Sequence, residues 1–541
     1  MFSLTAAPAT HPTKKVQMAG TRNILFIMCD QLRADYLGCN GHPAIHTPNI
    51  DRLAGRGVNF PQAFCQAPVC GPSRMSFYTG RYMTSHGSTY NGVPLNIGEP
   101  TLGDYLRPLG VRTGLIGKTH MAPDFEGLKR LGVDPASDDG ILAGQCGFEP
   151  WERDDGLHPD QVADPNLAYN QYLRRQGYEG DNPWHTVANA ADGPNGEILS
   201  GWYLRNCHLP ARVDKQHSET AYMTDLAMAK INDLGETPWC LHLSYIKPHW
   251  PYLAPAPYHN MYGANTVLPA NRDEAEKRNP HPVIEAFMRH EESLTFSDEE
   301  RRTHVIPAYM GLITEIDDHI GRLMSFLEQQ GRLEDTLIVF TSDHGDYLGD
   351  HWLGEKEMFH EAALRVPMIV VDPDDAADKT RGTVDDRLVE TIDLLPTFVD
   401  AAGGDAQPHV LEGRSLLPLI RGDTLEGWRD AVFSEADYAF RGARKSLTLA
   451  PDQTRAYMVR TDSWKYISYD GFRPQLFDLK NDPKELVDLG ASPDHQSVRD
   501  DLEDKITVWR RRLKSRKTIR FEQIEQRTDN AKERGYLFGV W

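Results

Sequence analysis

Short apolar runs recur along the first two-thirds of the chain, and most of them end in polar or charged residues. The runs are residues 23–29, 111–117, 239–246, 336–341 and 366–371. Continuous apolar runs of this length are typical of strands that are buried on both faces of a mainly parallel sheet. We therefore expect these segments to form the centre of one large sheet.

A long amphipathic pattern lies between the third and fourth runs. It predicts a helix from about residue 306 to 330, with Gly331 as the stop signal. Strands that alternate with such helices predict an α/β fold, in which a large, mainly parallel or mixed sheet is sandwiched by helices. The apolar face of the helix consists of Met310, Ile313, Ile316, Ile320, Leu323, Met324 and Leu327.

The pattern changes outside these elements. Residues 121–220 lack clean periodicity, and we expect long loop insertions that shape a pocket. Beyond about residue 425, short strands at 457–460, 465–468 and 475–477 precede a helix at 497–514, which indicates a smaller α+β domain on an antiparallel sheet. The predicted division is a leader (1–21), a main domain (22–424), this α+β subdomain (425–514) and a tail (515–541) that is a candidate oligomerisation arm.

Composition narrows the classes of partner. Among 541 residues, 58 are Lys or Arg and 78 are Asp or Glu, so the formal net charge is −20. Such an acidic chain is unsuited to non-specific nucleic-acid binding, which depends on neutralising phosphates. No apolar run is long enough to span a membrane, and the first 22 residues lack the apolar core of a signal peptide. Seven cysteines, none after Cys240, do not suit a disulfide framework, so we expect a cytoplasmic protein.

Polar residues directly follow four of the five apolar runs. In open α/β sheets, ligands bind at the carboxyl ends of the strands. Capping of a strand at the surface would explain one such group, but four groups together predict a ligand site. The groups are Asp30 with Gln31, Lys118 with His120, Lys247 with His249, and Asp343 with His344.

Three of these residues suit a divalent cation. The carboxylates of Asp30 and Asp343 favour hard ions such as Ca²⁺, Mg²⁺ or Mn²⁺, and the His344 imidazole makes a pure calcium site less suitable. Gly345 allows the backbone to approach a ligand closely. An aspartate that caps a helix is the alternative explanation for Asp343.

A second group of candidate residues surrounds Cys70. Pro72 suits the first turn of a helix that includes Arg74 and ends at Gly80. Cys70 then lies at the N-terminal end of this helix, where free N–H groups attract anions and lower the pKa of a thiol.

The segment Cys70-Gly-Pro-Ser-Arg74, followed by Thr79-Gly80, resembles the C-x-P-x-R signature of the type I sulfatases, a family within the alkaline phosphatase superfamily. The resemblance implies an alkaline-phosphatase-like fold and conversion of Cys70 to Cα-formylglycine by a separate formylglycine-generating enzyme. Further matches occur in chain order at TPNIDRLA (47–54), GKTH (117–120), KPH (247–249), DHG (343–345) with Lys356, LFDL (476–479) and DPxE (482–485).

The resemblance also implies a metal site with one divalent ion, Ca²⁺ or Mn²⁺. Its ligands would be Asp30, Asp343, His344 and residue 70, with Gln31 as a ligand or a near neighbour.

The same resemblance gives catalytic and substrate-binding roles. Arg74 would hold the formylglycine hydroxyls, and Lys118 and Lys356 would clamp the non-bridging oxygens of the substrate. His249 is the candidate acid for the leaving group, and His120 is the candidate base for breakdown of the covalent intermediate. These two histidines could exchange roles.

One departure from the sulfatase pattern concerns Gln31, because many sulfatases have a second acidic residue there. Asp30-Gln31 is similar to the phosphonate monoester hydrolase and choline sulfatase branches. Asn91 also matches a polar active-site position of the phosphonate monoesterases and would donate to a substrate oxygen. Lys118 and His120 keep the sulfatase pattern, so the chain lies between two substrate classes.

Three hypotheses follow. The first is hydrolysis of a small anionic ester, an aryl or small alkyl sulfate, with promiscuity toward phosphonate and phosphate esters. The second is a phosphonate monoester hydrolase or phosphodiesterase, and the third is a non-catalytic metal-binding relative, which the complete residue set argues against. We expect a homo-oligomer, a solvated surface position for Lys247, and structural or surface roles for His242, His351 and His360.

Overall fold

The computed structural model describes residues 21–530 and 532–537. The strands are β1 Asn23–Asp30, β2 Val58–Asn59, β3 Ala63–Phe64, β4 Arg112–Gly117, β5 Glu149–Arg153, β6 Ala190–Asp192, β7 Ile198–Ser200, β8 Trp239–Pro248, β9 Thr336–Ser342, β10 Arg365–Val366, β11 Met368–Val371, β12 Thr383–Val384, β13 Val389–Glu390, β14 Ala431–Asp437, β15 Arg455–Thr461, β16 Trp464–Tyr469 and β17 Gln475–Asp478. The helices are α1 Pro48–Ala54, α2 Cys70–Thr79, α3 Met83–His86, α4 Leu102–Leu106, α5 Phe125–Leu131, α6 Asp138–Ala143, α7 Ala168–Arg175, α8 Glu219–Leu234, α9 Pro282–Met288, α10 Glu291–Phe296, α11 Glu299–Gln329, α12 Glu361–Leu364, α13 Leu394–Ala401, α14 Leu417–Ile420, α15 Gly442–Ser446, α16 Gln496–Arg512 and α17 Phe521–Arg527.

The central sheet has eight strands within the described residues, in the order β12-β2-β11-β9-β1-β8-β4-β5. The five strands from β9 to β5 run parallel, whereas β11 is antiparallel to both of its neighbours. The predicted mainly parallel, mixed sheet is confirmed. The run 366–371 is split, because only β11 joins this sheet while β10 pairs with β3. Strand β5 was missed within the predicted loop region, because this edge strand is only half-buried and has no apolar run.

Helices cover both faces of the sheet, as predicted. In β1, Leu25 and Ile27 pack in one apolar cluster with residues of α8 and α11, whereas Phe26 and Met28 pack in the other with residues of α2 and α13. This alternation follows from the two-residue period of a strand. Helix α11 begins at Glu299, before the predicted residue 306, and the Asp298 side chain caps it by accepting from the Glu300 N–H. The start was predicted too late because the first turns of the helix are polar and lack the apolar pattern.

The C-terminal part contains the predicted antiparallel sheet, in the order β14-β15-β16-β17. Helix α16 packs on it through Leu502, Ile506 and Trp509. All seven cysteines are unpaired. No helix among the described residues has the length and apolarity to cross a membrane. Almost the whole predicted leader and the last four residues of the tail lie outside the described residues.

Candidate active site

Four parallel neighbours of the central sheet bring the predicted polar residues to one edge. Asp30 ends β1, Lys118 follows β4, His249 follows β8, and Asp343 follows β9. Helix α2 places Cys70 at the same edge, because its first residue is Cys70 and it ends at Gly80 in a left-handed conformation, as predicted.

Asp30, Cys70, Asp343 and His344 form a buried donor cluster. One ligand atom from each lies within 4.8 Å of the others. Cys70 Sγ lies 3.1 Å from His344 Nε2 and 3.7 Å from Asp30 Oδ1. Two carboxylates, an imidazole and a sulfur that stands where an oxygen of formylglycine would stand suit a divalent cation. The residues therefore fit the metal ion that the family resemblance implies.

Arg74 and Lys118 hold the outer oxygens of the two carboxylates. Arg74 Nε donates to Asp343 Oδ2 at 2.8 Å, and its Nη2 donates to Asp30 Oδ2 at 3.2 Å. Lys118 Nζ lies 2.5 Å from the same Asp30 Oδ2. The Oδ2 atoms of Asp30 and Asp343 are therefore occupied by these cations, and the Oδ1 atoms of the two carboxylates face the donor cluster. In this structure Arg74 orients the carboxylates, and its predicted contact with the hydroxyls of residue 70 stays a prediction.

Lys356 lies beside the cluster and connects two other candidates. Its Nζ donates to Gln31 Oε1 at 2.9 Å and lies 3.3 Å from His249 Nε2. Gln31 Nε2 donates to Asp346 Oδ2 at 2.6 Å. Both ends of the Gln31 amide are thus occupied by Lys356 and Asp346, which makes Gln31 a near neighbour of the cluster in this structure.

Cationic groups near Cys70 control the pKa of its thiol. Burial alone would raise the pKa of the Cys70 thiol, but the ammonium groups of Lys356 and Lys118 lower this pKa well below its ordinary value. Burial and the Lys356 ammonium lower the pKa of His249 to about 3. His249 Nδ1 lies 2.7 Å from the Trp250 carbonyl oxygen, so Nδ1 carries the proton of the neutral ring and Nε2 is an acceptor.

Two candidates lie at the half-buried margin. The side chain of His120 is near enough to Cys70 to help lower the pKa of the thiol, and its Nδ1 has no partner among the described residues. The His120 backbone has a φ of 53° and is held by Asp155 Oδ1, which accepts from its N–H at 2.9 Å. Asn91 Oδ1 accepts from the Gly71 N–H at 2.7 Å, directly after Cys70. All candidate residues therefore meet around Cys70.

The predicted surface position of Lys247 is wrong. Lys247 is buried. Its Nζ donates to the Pro251 carbonyl at 3.0 Å and to Asn189 Oδ1 at 3.3 Å, and these two hydrogen bonds compensate for the loss of water. These contacts close the turn that carries His249. His242 is structural, as predicted: it stacks on Phe26 and contacts Tyr78 Oη.

Asp346 was not assigned a role from the sequence. It is fully buried and also accepts from the Tyr252 hydroxyl at 2.7 Å. Its place three residues after Asp343 was the only signal, and acidic residues in Gly-rich turns are too common for that signal to decide.

Comparisons with known proteins identify the family. The Sulfatase family model matches residues 22–404, and the model for N-sulphoglucosamine sulphohydrolase, C-terminal, matches residues 349–512. The chain is 30% identical to the multifunctional alkaline phosphatase superfamily protein PehA of Trinickia caryophylli, over 90% of this chain and 95% of that protein. It is 29% identical to an arylsulfatase of Clostridium perfringens, over 88% of this chain and 91% of that protein. The solved phosphonate monoester hydrolase of Agrobacterium radiobacter has a TM-score of 0.79 and 28% identity, over 92% of this chain and 97% of that one.

Proposed function

The chain belongs to the sulfatase family, and from this membership we propose that it hydrolyses aryl or small alkyl sulfate monoesters and also accepts phosphonate esters. One observation carries the proposal: Cys70 lies in the donor cluster of Asp30, Asp343 and His344, and the ammonium groups of Lys118 and Lys356 lower its pKa. A nucleophile position, a cation site and two positive clamps are what hydrolysis of an anionic ester requires.

Two groups complete the site in this proposal. The donor cluster would hold one divalent ion, Ca²⁺ or Mn²⁺, which would lower the pKa of a hydroxyl at residue 70 and offset negative charge. Cys70 would be converted to Cα-formylglycine by a formylglycine-generating enzyme, and the hydrate of that aldehyde would supply the nucleophilic hydroxyl and a second hydroxyl for product release.

Positive side chains would bind and orient the sulfuryl group. Lys118 Nζ contacts Asp30 Oδ2 and Lys356 Nζ donates to Gln31 Oε1, so both ammonium groups that act on residue 70 are held in place. Fixed charges of this kind need little reorganisation as charge develops in the transition state. The Asn91 amide would add a hydrogen bond to a substrate oxygen, and Arg74 would hold the two carboxylates in place.

The two histidines would move protons. In the free protein His249 is neutral, because burial and Lys356 lower its pKa. A bound anion offsets the charge of Lys356, so substrate binding would raise this pKa and allow His249 Nε2 to carry a proton to the leaving oxygen. His120, which lies near residue 70, would take the proton from the second hydroxyl.

Phosphonate monoester or phosphodiester hydrolysis is the second candidate function. Gln31 favours it, since an amide in place of a second carboxylate leaves the site less negative toward a phosphoryl group. Asn91 beside Gly71 supports it as well. A non-catalytic metal-binding role is disfavoured by the complete set of clamps and proton carriers.

Cellular context and assembly belong to the same proposal. We place the protein in the cytoplasm, which the seven unpaired cysteines support. We keep 22–424 and 425–514 as its two domains. The tail is proposed to bind a second copy of the chain, since Phe521 and Leu537 expose apolar surface there.

Mass spectrometry of the peptide that contains residue 70, combined with rates on an aryl sulfate and an aryl phosphonate monoester, tests the proposal. Conversion to formylglycine lowers the residue mass by about 18 Da. We expect the shift, sulfate hydrolysis, and loss of activity in Cys70→Ala. A plain thiol in protein made with a working converting enzyme would contradict the formylglycine proposal, and the ratio of the two rates ranks the two candidate functions.

A further inference from the structure

Phe440 is held in a fixed position although most of its ring is in water. Its side chain is 63% exposed, yet it stacks on Tyr90 with ring centroids 5.0 Å apart and an interplanar angle of 15°. Burial alone does not explain this placement, because an exposed ring gains little from the hydrophobic effect. Tyr90 directly precedes Asn91, which contacts Gly71 next to Cys70. The stacked pair therefore lies at the margin of the candidate active site.

The carboxylate of Glu357 fixes both members of the pair. The Tyr90 hydroxyl donates to Glu357 Oε1 at 2.6 Å, and Arg441 Nε lies 2.7 Å from Glu357 Oε2. Glu357 is buried and directly follows Lys356. One carboxylate therefore joins the segments of Asn91, Lys356 and Phe440, although these segments are far apart in the sequence.

The turn that carries Phe440 is anchored on both sides. Arg441 also forms an ion pair with Glu292 and lies 3.0 Å from His290 Nδ1, and Tyr438 is buried. The backbone of Glu357 has a φ of 95°, a strained conformation that persists only where the surroundings hold it. The Phe440 ring is therefore exposed to solvent while the turn that carries it is held in place by its neighbours.

A short chain of contacts joins the candidate acid to this pair. Residue 70 lies at the fully buried end of the site, and an in-line displacement places the leaving oxygen opposite the nucleophile. The candidate acid His249 contacts Lys356 at 3.3 Å, and Lys356 adjoins Glu357, which holds Tyr90. Lys356 and Glu357, which are adjacent in the chain, therefore connect the candidate acid to the stacked pair.

We propose that Tyr90 and Phe440 form a leaving-group subsite that takes a flat aromatic group. The subsite rests on the proposed function, since it deepens the substrate class of the same site. The stacked pair offers an aromatic surface on which an aryl ring stacks with an offset. A small alkyl group has no such face, so the subsite favours aryl over alkyl esters. The C-terminal part of the chain thereby contributes a specificity residue to the site.

Binding of two unreactive sulfonates to Phe440→Ala tests the subsite without turnover. Benzenesulfonate carries the aromatic ring and methanesulfonate lacks it, so calorimetric Kd values separate stacking from anion binding. We expect Phe440→Ala to weaken benzenesulfonate about 3- to 10-fold, the range for one aromatic pair, and to leave methanesulfonate unchanged. Phe440→Tyr should retain wild-type affinity. Val487→Ala, which truncates another exposed apolar side chain of the C-terminal part at 55% exposure, is the control.

Kinetics extend the test. In Phe440→Ala, KM for 4-nitrophenyl sulfate should rise by the same factor, while the inhibition constant of inorganic sulfate stays unchanged. Equal effects on both sulfonates, or no effect on either, would overturn the subsite. A protein that shows the Phe440-dependent preference for benzenesulfonate but hydrolyses neither an aryl sulfate nor an aryl phosphonate would support the subsite and contradict the proposed function.

Discussion

The Arg74 guanidinium donates to the Asp343 carboxylate through Nε at 2.8 Å, and neither side chain has any exposed surface. Arg74 also reaches Asp30, so one cation orients both carboxylates of the donor cluster. Removal of one partner from such a buried pair leaves an uncompensated charge, which costs far more than the loss of a surface pair.

We expect Arg74→Lys to cause a large loss of both stability and activity. Lysine cannot provide the fork that contacts Asp343 and Asp30 together, and the buried carboxylates would lose compensation worth up to about 3–5 kcal/mol. Thermal unfolding and kcat/KM measure the two effects. Arg322→Lys is the control, because both members of its pair with Asp225 are about half exposed and the pair should contribute only about 1 kcal/mol or less. Equal effects of the two substitutions would contradict this account.

The metal content of two aspartate variants tests the donor cluster. Asp343→Asn removes a charge from the cluster and should lower both the bound metal and the activity. Asp346→Asn changes a buried carboxylate that contacts Gln31 and Tyr252 outside the cluster, so it should retain the metal. Inductively coupled plasma mass spectrometry measures the content and identifies the ion. Chelation of the wild type should abolish activity until the ion is restored. Equal metal loss in both variants would show that Asp346 also contributes to metal binding, which contradicts the proposed donor cluster.

The proton-transfer roles of the histidines predict different leaving-group dependences. His249→Ala should slow hydrolysis about 10²- to 10⁴-fold for esters with poor leaving groups and much less for 4-nitrophenyl sulfate, because a good leaving group needs no acid. His120→Ala should show no such dependence. A series of substituted phenyl sulfates gives the slopes. If the dependence follows His120 instead, the two histidines have exchanged roles.

Titration of Glu219, which lies outside the donor cluster, should make the free energy of unfolding depend on pH. Burial and the nearby Asp154 raise its pKa to about 7, while its Oε1 accepts from Trp184 Nε1 at 2.8 Å. The unfolded pKa is near 4.5, so the folded state keeps a proton that the unfolded state loses between about pH 4.5 and pH 7. The wild type therefore loses stability as the pH rises through this window.

Glu219→Gln keeps the acceptor for Trp184 and cannot titrate. The stability of this variant relative to wild type should improve by about 1–3 kcal/mol from pH 5 to pH 8. Unfolding midpoints at the two pH values measure the difference. Glu236→Gln serves as the exposed control. A difference that does not change with pH would show that Glu219 does not titrate in this range.

Truncation of the tail tests self-association. Lys517 pairs with Glu99 and Arg520 pairs with Asp405 of the same chain. Removal of 521–541 keeps these contacts, whereas removal of 515–541 loses them as well. Both truncated proteins should have a lower mass than the full chain in light scattering, because the exposed apolar residues of the tail are gone. An unchanged mass would place the interface elsewhere.

The sequence predicted the parts of the molecule that depend on local pattern. Strands β1, β8 and β9 were predictable because both of their faces are buried, which makes most of their residues apolar. Their parallel order then brings Asp30, His249 and Asp343 to one edge without further information. The edge strand β5 lacked this pattern and was missed.

Contacts between distant segments were beyond the reach of pattern. Lys247 resembles a surface lysine until the turn at Pro251 and the remote Asn189 supply its partners. The role of Glu357 likewise depends on two distant residues, Tyr90 and Arg441, which both contact its carboxylate. Periodicity cannot report such pairs, because it describes the environment of a residue and not the identity of its neighbour.

Helix α2 sets a condition on when Cys70 can be modified. Every residue from Cys70 to Thr79 is buried in the folded chain. A second enzyme therefore cannot bind this segment once the domain has folded. The proposed conversion of Cys70 would then take place on the nascent or unfolded polypeptide, in kinetic competition with folding. The active fraction of a preparation would consequently be fixed during synthesis. Converting enzyme added to folded, unmodified protein should restore nothing unless the chain is first unfolded.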